Sequence, residues 1–322
     1  MPRGRPMKPS KNPERPERRA LTGVILFDKP FGLSSNHALQ RVRRLFQALK
    51  AGHTGTLDPH ATGLLPLCLG EATKYSGWIL DAPKTYHATL TLGQTSSTGD
   101  GEGVLCPGRP FLGNETTLMA ALDGFLGPQT QLPPMHSALK VQGQTLYQLA
   151  RAGQEVERTP RAIQVHEIRL LSWREDRAVI ETRVSKGTYI RVLVQDIGAA
   201  LGCGAYLSGL RRTATGPFSL SEAVTLEGLE GMSQAQRDAC LQPVDCLLAG
   251  LPRLDLPPAQ GRALSQGQIV TGNLLWQESL YRVYTQNHFL GLAQPDATQG
   301  NLMPLRMMGD APSTLFQESG AP

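Results

Sequence analysis

Ala51-Gly52-His53-Thr54-Gly55-Thr56-Leu57-Asp58-Pro59-His60-Ala61-Thr62-Gly63 shows neither helical nor alternating hydrophobic periodicity. Its glycines and the proline after Asp58 make it a loop that bends the backbone and presents polar side chains. The chemistry of that loop narrows by elimination. No Gly-Lys-Ser/Thr closes a phosphate cradle, and no helix opens where a cradle needs one. His53, Asp58 and His60 lack the spacing and the companion Cys or acidic cluster of a metal site, so no metal is expected. No Ser occupies a strand-to-helix elbow, which removes a Ser-His-Asp triad. What remains is one carboxylate, Asp58, held by a stiff turn, with Arg and Tyr side chains available from Lys186-Gly187-Thr188-Tyr189-Ile190-Arg191. Such an Asp serves as a nucleophile toward a sugar or an electron-poor ring if a guanidinium keeps it ionised. The competing reading is an Asx turn that merely folds the loop, and on spacing alone that reading is the stronger one.

Outward from the loop, residues 64–69 read as a buried strand and 71–80 as a short helix. On the N-terminal side, Val24-Ile25-Leu26-Phe27 predicts a strand closed by Asp28-Lys29-Pro30. Ser34, Ser35 and Asn36 offer N-caps for a helix whose apolar side is Ala38, Leu39, Val42, Leu45, Phe46 and Leu49. Residues 84–93 alternate strictly, as a half-buried strand does, and a Ser/Thr/Gly/Asp-rich loop follows through Gly103. Residues 116–126 have helical spacing, whereas 127–162 hold prolines, glycines and one short helical stretch at 145–152, an insertion on the core. Paired strands are expected at 163–173 and 177–184, then a helix ending at Gly202. From about Leu251 the chain turns to short β-rich pieces at 281–285, 289–293 and 301–308, which suggest a small barrel. Strands and helices without regular alternation predict an α+β fold.

A chain of 322 residues is more than one hydrophobic core usually carries, so a main domain and a smaller one are expected. Hydrophobic residues at 40% and charged residues at 18% exclude global disorder, and 34 Gly and 24 Pro without a fixed period exclude collagen. The sequence has no apolar run of about 18 residues and no secretory core at its N-terminus, so neither a membrane span nor export is expected and the cytoplasm is the default address. Cys68, Cys106, Cys203, Cys240 and Cys246 form an odd set without a C-x-x-C pair and are expected to be reduced and structural. The net charge of +5 sits in residues 1–20, where seven Lys or Arg face two Glu, while the remaining chain balances 25 basic against 25 acidic residues. Five prolines accompany those charges, so residues 1–21 are expected to be a disordered tail, either solubilising or attracting a polyanion.

Gly52 to Pro59, continued by Ala61-Thr62-Gly63 and Leu69-Gly70-Glu71-Ala72-Thr73-Lys74, resembles the catalytic motif of the TruB family, bacterial synthases that modify the T-loop uridine at tRNA position 55. Further segments in the same order resemble that family: Asp28-Lys29-Pro30, Lys84-Thr85-Tyr86, Ser137-Ala138-Leu139-Lys140, residues 186–191 and Leu210-Arg211-Arg212. The resemblance is good over residues 22–250 and looser over 251–308. It implies an α+β fold with a mixed sheet, flanking helices and a central catalytic cleft, a thumb-like insertion at 127–162, a small C-terminal β-barrel like the PUA module at 251–308, and a disordered 309–322. By resemblance Asp58 would be the catalytic carboxylate, attacking either the uracil ring or the sugar C1′, and Arg191 would pair with it. Tyr86 would stack on the base, His53 would fill the space it leaves, Leu210 would form an apolar wall, Tyr189 would sit in the pocket and assist removal of the C5 proton, and Lys29 would support the site. An enzyme acting on a uridine inside a folded loop must flip it, grip its π-face and plug the gap.

The resemblance also implies an isomerase with no cofactor and no metal, acting as a monomer on the T-arm of tRNA without guide RNA or obligatory protein partner. Lys140, Arg151, Arg158 and Arg161 of the insertion would suit phosphate contacts. His60 stands where the family usually has an apolar residue, and Ser97 where it often has an acidic one. Three rival readings are a tRNA-binding protein without turnover, a synthase working inside a guide-RNA complex, and a nucleoside hydrolase; the last would want a second carboxylate or a metal beside Asp58.

Overall fold

The computed structural model describes residues 17–137, 139–141, 143–271, 277–296, 300–309 and 313–316. The disorder expected for residues 1–16, and for most of 309–322, falls outside the described residues. The backbone of the fold is an antiparallel pair of strands, β1 (Gly23–Lys29) and β3 (Ala61–Leu69), in register from Gly23 opposite Leu69 to Lys29 opposite Gly63. The short β2 (Ala51–His53) pairs with the far end of β3, so the irregular part of the motif is only 54–60, shorter than the loop expected from sequence. Strand Ala205–Thr215 runs parallel to β3 and antiparallel to β4 (Lys84–Leu92). Strands Arg177–Val184, Arg161–Arg174 and Gly127–Gln131 then extend the sheet, and Val224–Thr225 closes its other edge beside β1.

The apolar alternation of β1 separates two of the three cores formed by the described residues, the third lying within the C-terminal sheet around Leu264, Val283 and Leu302. Ile25 and Phe27 face a cluster with Leu65, Leu67, Leu90, Ile180 and the buried faces of two helices, α1 (Ser35–Leu45) and Ile190–Ala200. Val24 and Leu26 face a second cluster with Leu64, Cys68, Tyr75, Ile79, Val244 and Leu247, which Leu292 of the C-terminal sheet completes. Helix α1 begins where the sequence predicts, with the Ser34 hydroxyl accepting the His37 backbone N–H at 3.2 Å. The C-terminal sheet has five strands in the order Arg253–Asp255, Tyr281–Thr285, His288–Asp296, Asn301–Met307, Val270–Thr271. It is a curled half-barrel of PUA-like form; among the described residues its two end strands do not pair to close it. The Tyr75 hydroxyl donates to the Arg306 carbonyl at 2.9 Å and ties this sheet to the main body.

Three expectations need correction. Residues 127–131 are an edge strand of the main sheet, paired with Arg161–Val165, so the insertion is confined to about 132–160. Pro128 and the polar Gln-Thr-Gln hide this strand, because an edge position tolerates both. Residues 19–21 are not a free tail: the Arg19 N–H donates to the Gln47 carbonyl at 2.7 Å, its guanidinium is 2.6 Å from Asp238, and Leu21 packs on the first core. The five cysteines are unpaired, but Cys106 is exposed and has no structural role in either core.

The parallel pairing of β3 with Ala205–Thr215 explains Gly63. A Cβ there would lie 2.7 Å from the Arg212 backbone N and closer still to its carbonyl O, and its φ of +101° is one that L residues avoid. Gly63→Ala is therefore expected to lower stability by about 2–4 kcal/mol, from strain at both φ and contact. Thermal unfolding checks this, and a variant within 0.5 kcal/mol of the native chain would show the contact to be soft.

Candidate active site

Asp58 projects from a loop that is fastened on three sides. The buried Ser35 hydroxyl accepts the Leu57 N–H at 2.7 Å and donates to the Leu57 carbonyl at 2.9 Å. The Gly32 N–H donates to the Pro59 carbonyl at 2.9 Å, and Arg212 Nη2 donates to the Gly55 carbonyl at 3.1 Å. Lys29, fully buried, donates from Nζ to the carbonyls of Leu33 at 2.6 Å and Pro59 at 3.4 Å. It stands beneath the turn and outside the lining of the cleft.

Arg191 lies in the first turn of helix Ile190–Ala200 and is 7% exposed. Its guanidinium joins three acceptors: Nη2 donates to Asp58 Oδ2 at 2.7 Å and to the His136 carbonyl at 3.0 Å, and Nη1 donates to Asp100 Oδ2 at 2.9 Å. The start of that helix has no side-chain cap. Instead the buried Gln131 clamps Tyr189 with both ends of its amide, accepting the Tyr189 N–H at 3.0 Å and donating to the Tyr189 carbonyl at 3.2 Å. The misread edge strand thus fixes the segment carrying Tyr189 and Arg191.

Two adjoining cavities share Asp58, Ser137 and Arg191. One, of about 280 Å³, is lined by Tyr86, Tyr189, Leu210, Lys84 and Arg212. The other, of about 390 Å³, is lined by His53, Asp100, His136 and Tyr147. The structure therefore brings Asp58, Arg191, Tyr86, Tyr189 and Leu210 around one space, with His53 on its neighbour and Lys29 behind. His53 Nδ1 and the Ser137 hydroxyl are buried with no partner among the described residues.

Cations crowd the floor. Lys84 donates to the carbonyls of Leu80 at 2.6 Å and Ala82 at 2.7 Å, and burial, reinforced by Arg212, pushes its pKa down to about 8. Burial likewise brings Lys29 down to about 8, with Asp58 opposing and Arg212 reinforcing. His53 is lowered by burial and by Arg212. The arrangement sets the Asp58 carboxylate in a cleft with cations on its floor and an aromatic wall, suited to holding an anionic polymer and to stabilising charge that develops on a bound ring.

Asp100, Gln131, Lys84 and Arg212 were missed as site residues. Asp100 sits in the loop after β4, where only its place among Ser and Thr marks it: the Thr98 hydroxyl and the Glu102 N–H donate to its Oδ1 at 2.6 and 3.1 Å. Of the basic residues expected to meet phosphates, Arg158 instead donates to the Pro133 carbonyl at 3.0 Å, Arg151 lies 4.6 Å over the Tyr147 ring, and Arg161 is exposed at a strand start. The side chain of Lys140 lies outside the described residues.

Comparison with known proteins gives concordant results. Residues 43–190 match the TruB family pseudouridylate synthase N-terminal domain, 191–249 the tRNA pseudouridylate synthase B C-terminal domain, and 252–308 the C-terminal domain of pseudouridine synthase II TruB. The chain is 49% identical over 291 residues to the tRNA pseudouridine synthase B of Azoarcus sp. (strain BH72), covering 90% of this chain and 96% of that protein. It is 48% identical to the enzyme of the same name from Methylobacillus flagellatus, covering 91% and 97%. Among solved structures, a Cbf5-Nop10-Gar1 complex aligns with a TM-score of 0.66 at 26% identity, over 96% of this chain and 87% of that one. An archaeal box H/ACA Nop10-Cbf5 complex aligns with a TM-score of 0.66 at 24% identity, over 92% and 88%, which shows the shared fold. With a carboxylate, a guanidinium and an aromatic wall converging on one cleft, and full-length relatives at nearly half identity, the chain belongs to the TruB family of pseudouridine synthases.

Proposed function

We propose that this protein converts the T-loop uridine at tRNA position 55 to pseudouridine, acting alone, in the cytoplasm, without metal or organic cofactor. The observation that carries the reading is the 2.7 Å ion pair of Arg191 with Asp58 in a cavity walled by Tyr86, Tyr189 and Leu210. Uridine flips out of the loop, and its base stacks on Tyr86 against Leu210. His53, beside that space, fills the gap left in the RNA. Asp58 bonds to the ring or to the sugar C1′, the N1–C1′ bond breaks with its electron pair left on the uracil, uracil turns within the cavity, C5 bonds to C1′, and the bond to Asp58 breaks to release the carboxylate, while N1 takes up a proton in place of the one that leaves C5. Tyr189 then assists loss of the C5 proton. Water must be kept out while the base is detached, and the insertion at about 132–160, whose His136 carbonyl touches Arg191, is placed to close the cleft.

Residues 22–250 would then form the catalytic unit and 251–308 an RNA-binding one. Action without guide RNA is favoured because the relatives matched over nearly their whole length are named for tRNA, whereas the Cbf5 complexes lie at about half that identity. The second carboxylate that a nucleoside hydrolase would want is present as Asp100, but Arg191 and Thr98 occupy its oxygens, so it is a support and not a free acid. The test is release of tritium from tRNA labelled at uridine C5. Wild-type protein should release one equivalent, and a T-loop uridine-to-cytidine change should abolish it; binding without release would leave a tRNA-binding protein.

A further inference from the structure

Phe31 is a large apolar side chain held in the open, 65% exposed, at the mouth of the reaction cleft. Its ring stacks on His60 with centroids 4.8 Å apart and planes inclined by 19°. His60, itself about half exposed, lies 3.5 Å through Nδ1 from Glu102 Oε1. Neither ring is free to wander. The Gly32 N–H donates to the Pro59 carbonyl at 2.9 Å, so the turn carrying Phe31 is bonded to the turn carrying His60, and both are fixed to the Asp58 loop. An exposed pair of rings costs apolar hydration, and nothing among the described residues covers it.

The pair borders a third cavity, of about 270 Å³, lined also by Asp58, Asp100, Glu102, Ser208, Gly209 and Leu210. This cavity shares Asp58 and Leu210 with the one that holds Tyr86 and Tyr189, so the two adjoin at the Asp58 carboxylate. Its charged lining is acidic, from Asp58, Asp100 and Glu102. Carboxylates repel a phosphate, whereas an uncharged ring meets no such penalty and gains a stacking surface.

We propose that the Phe31–His60 pair is a stacking platform for the nucleobase adjacent to the target uridine, a second base subsite of the cleft. The inference rests on the proposed action on a T-loop uridine, since the neighbour is defined by the target. It gives His60 a purpose where the family pattern is apolar: an imidazole keeps a flat face for Phe31 while its ring nitrogen reaches Glu102, and an aliphatic side chain does neither. The platform holds the chain on one side of the flipped uridine.

The test is a binding cycle. Dissociation constants for tRNA are measured with Asp58→Asn protein, which leaves the RNA unconverted, with and without Phe31→Ala or His60→Ala. The RNAs are intact tRNA and tRNA with an abasic ribose immediately 5′ or 3′ of the target. Phe31→Ala should weaken binding of intact tRNA about ten-fold, in the range for loss of one stacked base. One of the abasic RNAs should bind the Phe31-bearing protein about ten-fold more weakly, and on that RNA Phe31→Ala should cost less than two-fold. Equal penalties on intact and both abasic RNAs, or no penalty on intact tRNA, overturn the platform. His60→Ala should lose several-fold on intact RNA and on the abasic RNA that keeps the stacked base, and not on the other; a loss that persists on both abasic RNAs counts against the platform. Phe31 buries little, so the variant folds, and its thermal midpoint confirms that. Tritium release by wild type on the same intact tRNA separates the two readings: release without coupling to Phe31 overturns the platform alone, and no release overturns the proposed function.

Discussion

Asp58→Asn should abolish pseudouridine formation while leaving tRNA binding within a few-fold of wild type. The substitution keeps size and shape, and Asn Oδ1 still accepts a hydrogen bond from Arg191, so the loop fastened at Gly55, Leu57 and Pro59 has no reason to move. On the proposed mechanism what is lost is the nucleophile, and removal of a covalent nucleophile typically lowers kcat by about 10⁴-fold or more. Binding comes from contacts spread along the RNA, of which this one side chain is a small part. Single-turnover tritium release and filter binding measure the two effects separately. Residual turnover within ten-fold of wild type would remove Asp58 from the covalent role and leave it as a turn residue. A parallel collapse of affinity and thermal midpoint would assign the effect to folding.

How much of this site is legible in the sequence depends on whether its determinants lie close together along the chain. The loop around Asp58 is, because turn formers and functional groups fall within a dozen residues; the strand β4 that carries Tyr86 and the helix that carries Arg191 are, because each has a clear period. Arg191 reaches Asp100 across 91 residues, and no local pattern in a Ser/Thr/Gly loop announces an ion-pair partner at that distance. Lys84 and Arg212 lie in segments that resemble the family, but nothing in their local sequence gives either a role at the site. Only the parallel pairing of Leu210, Arg211 and Arg212 with Ala61, Thr62 and Gly63 reveals that Arg212 is 1% exposed and braces the Asp58 loop at Gly55. The edge strand Gly127–Gln131 is hidden for a related reason: it is defined by its pairing with Arg161–Val165, far along the chain, and its own residues are mostly polar. Arg19 to Leu21 show the opposite error, since a basic, proline-rich context masked three residues that the folded body captures through Gln47 and Asp238.

Arg191 is where stability and catalysis meet, and the two should come apart in a double substitution. Arg191→Met removes the donor shared by Asp58, Asp100 and the His136 carbonyl. Asp58 is half exposed and can be rehydrated, but Asp100 has only 13% of its side chain open to water, so an uncompensated charge remains inside. Breaking a buried pair costs about 3–5 kcal/mol; with one partner half solvated, about 1–3 kcal/mol is expected here. Activity should fall by about 10²–10³-fold, the usual consequence of removing a preorganised charge from a reacting group. In Asp100→Asn the amide keeps two of the three contacts, with Oδ1 accepting Thr98 and Glu102, and its Nδ2, a donor where an oxygen accepted Arg191, is tolerated once the guanidinium is gone. Added to Arg191→Met, it removes the stranded charge and should return most of the lost stability. It cannot return activity, because Asp58 still lacks its guanidinium. Thermal unfolding and single-turnover rates on the two single variants and the double variant decide this. Stability recovered without activity means that Asp100 anchors Arg191 and Arg191 serves Asp58. Recovery of both would mean that the charge of Asp100, not the loss of Arg191 from Asp58, had been disabling the site. Recovery of neither would place the main function of Arg191 at the His136 carbonyl, holding the insertion over the cleft.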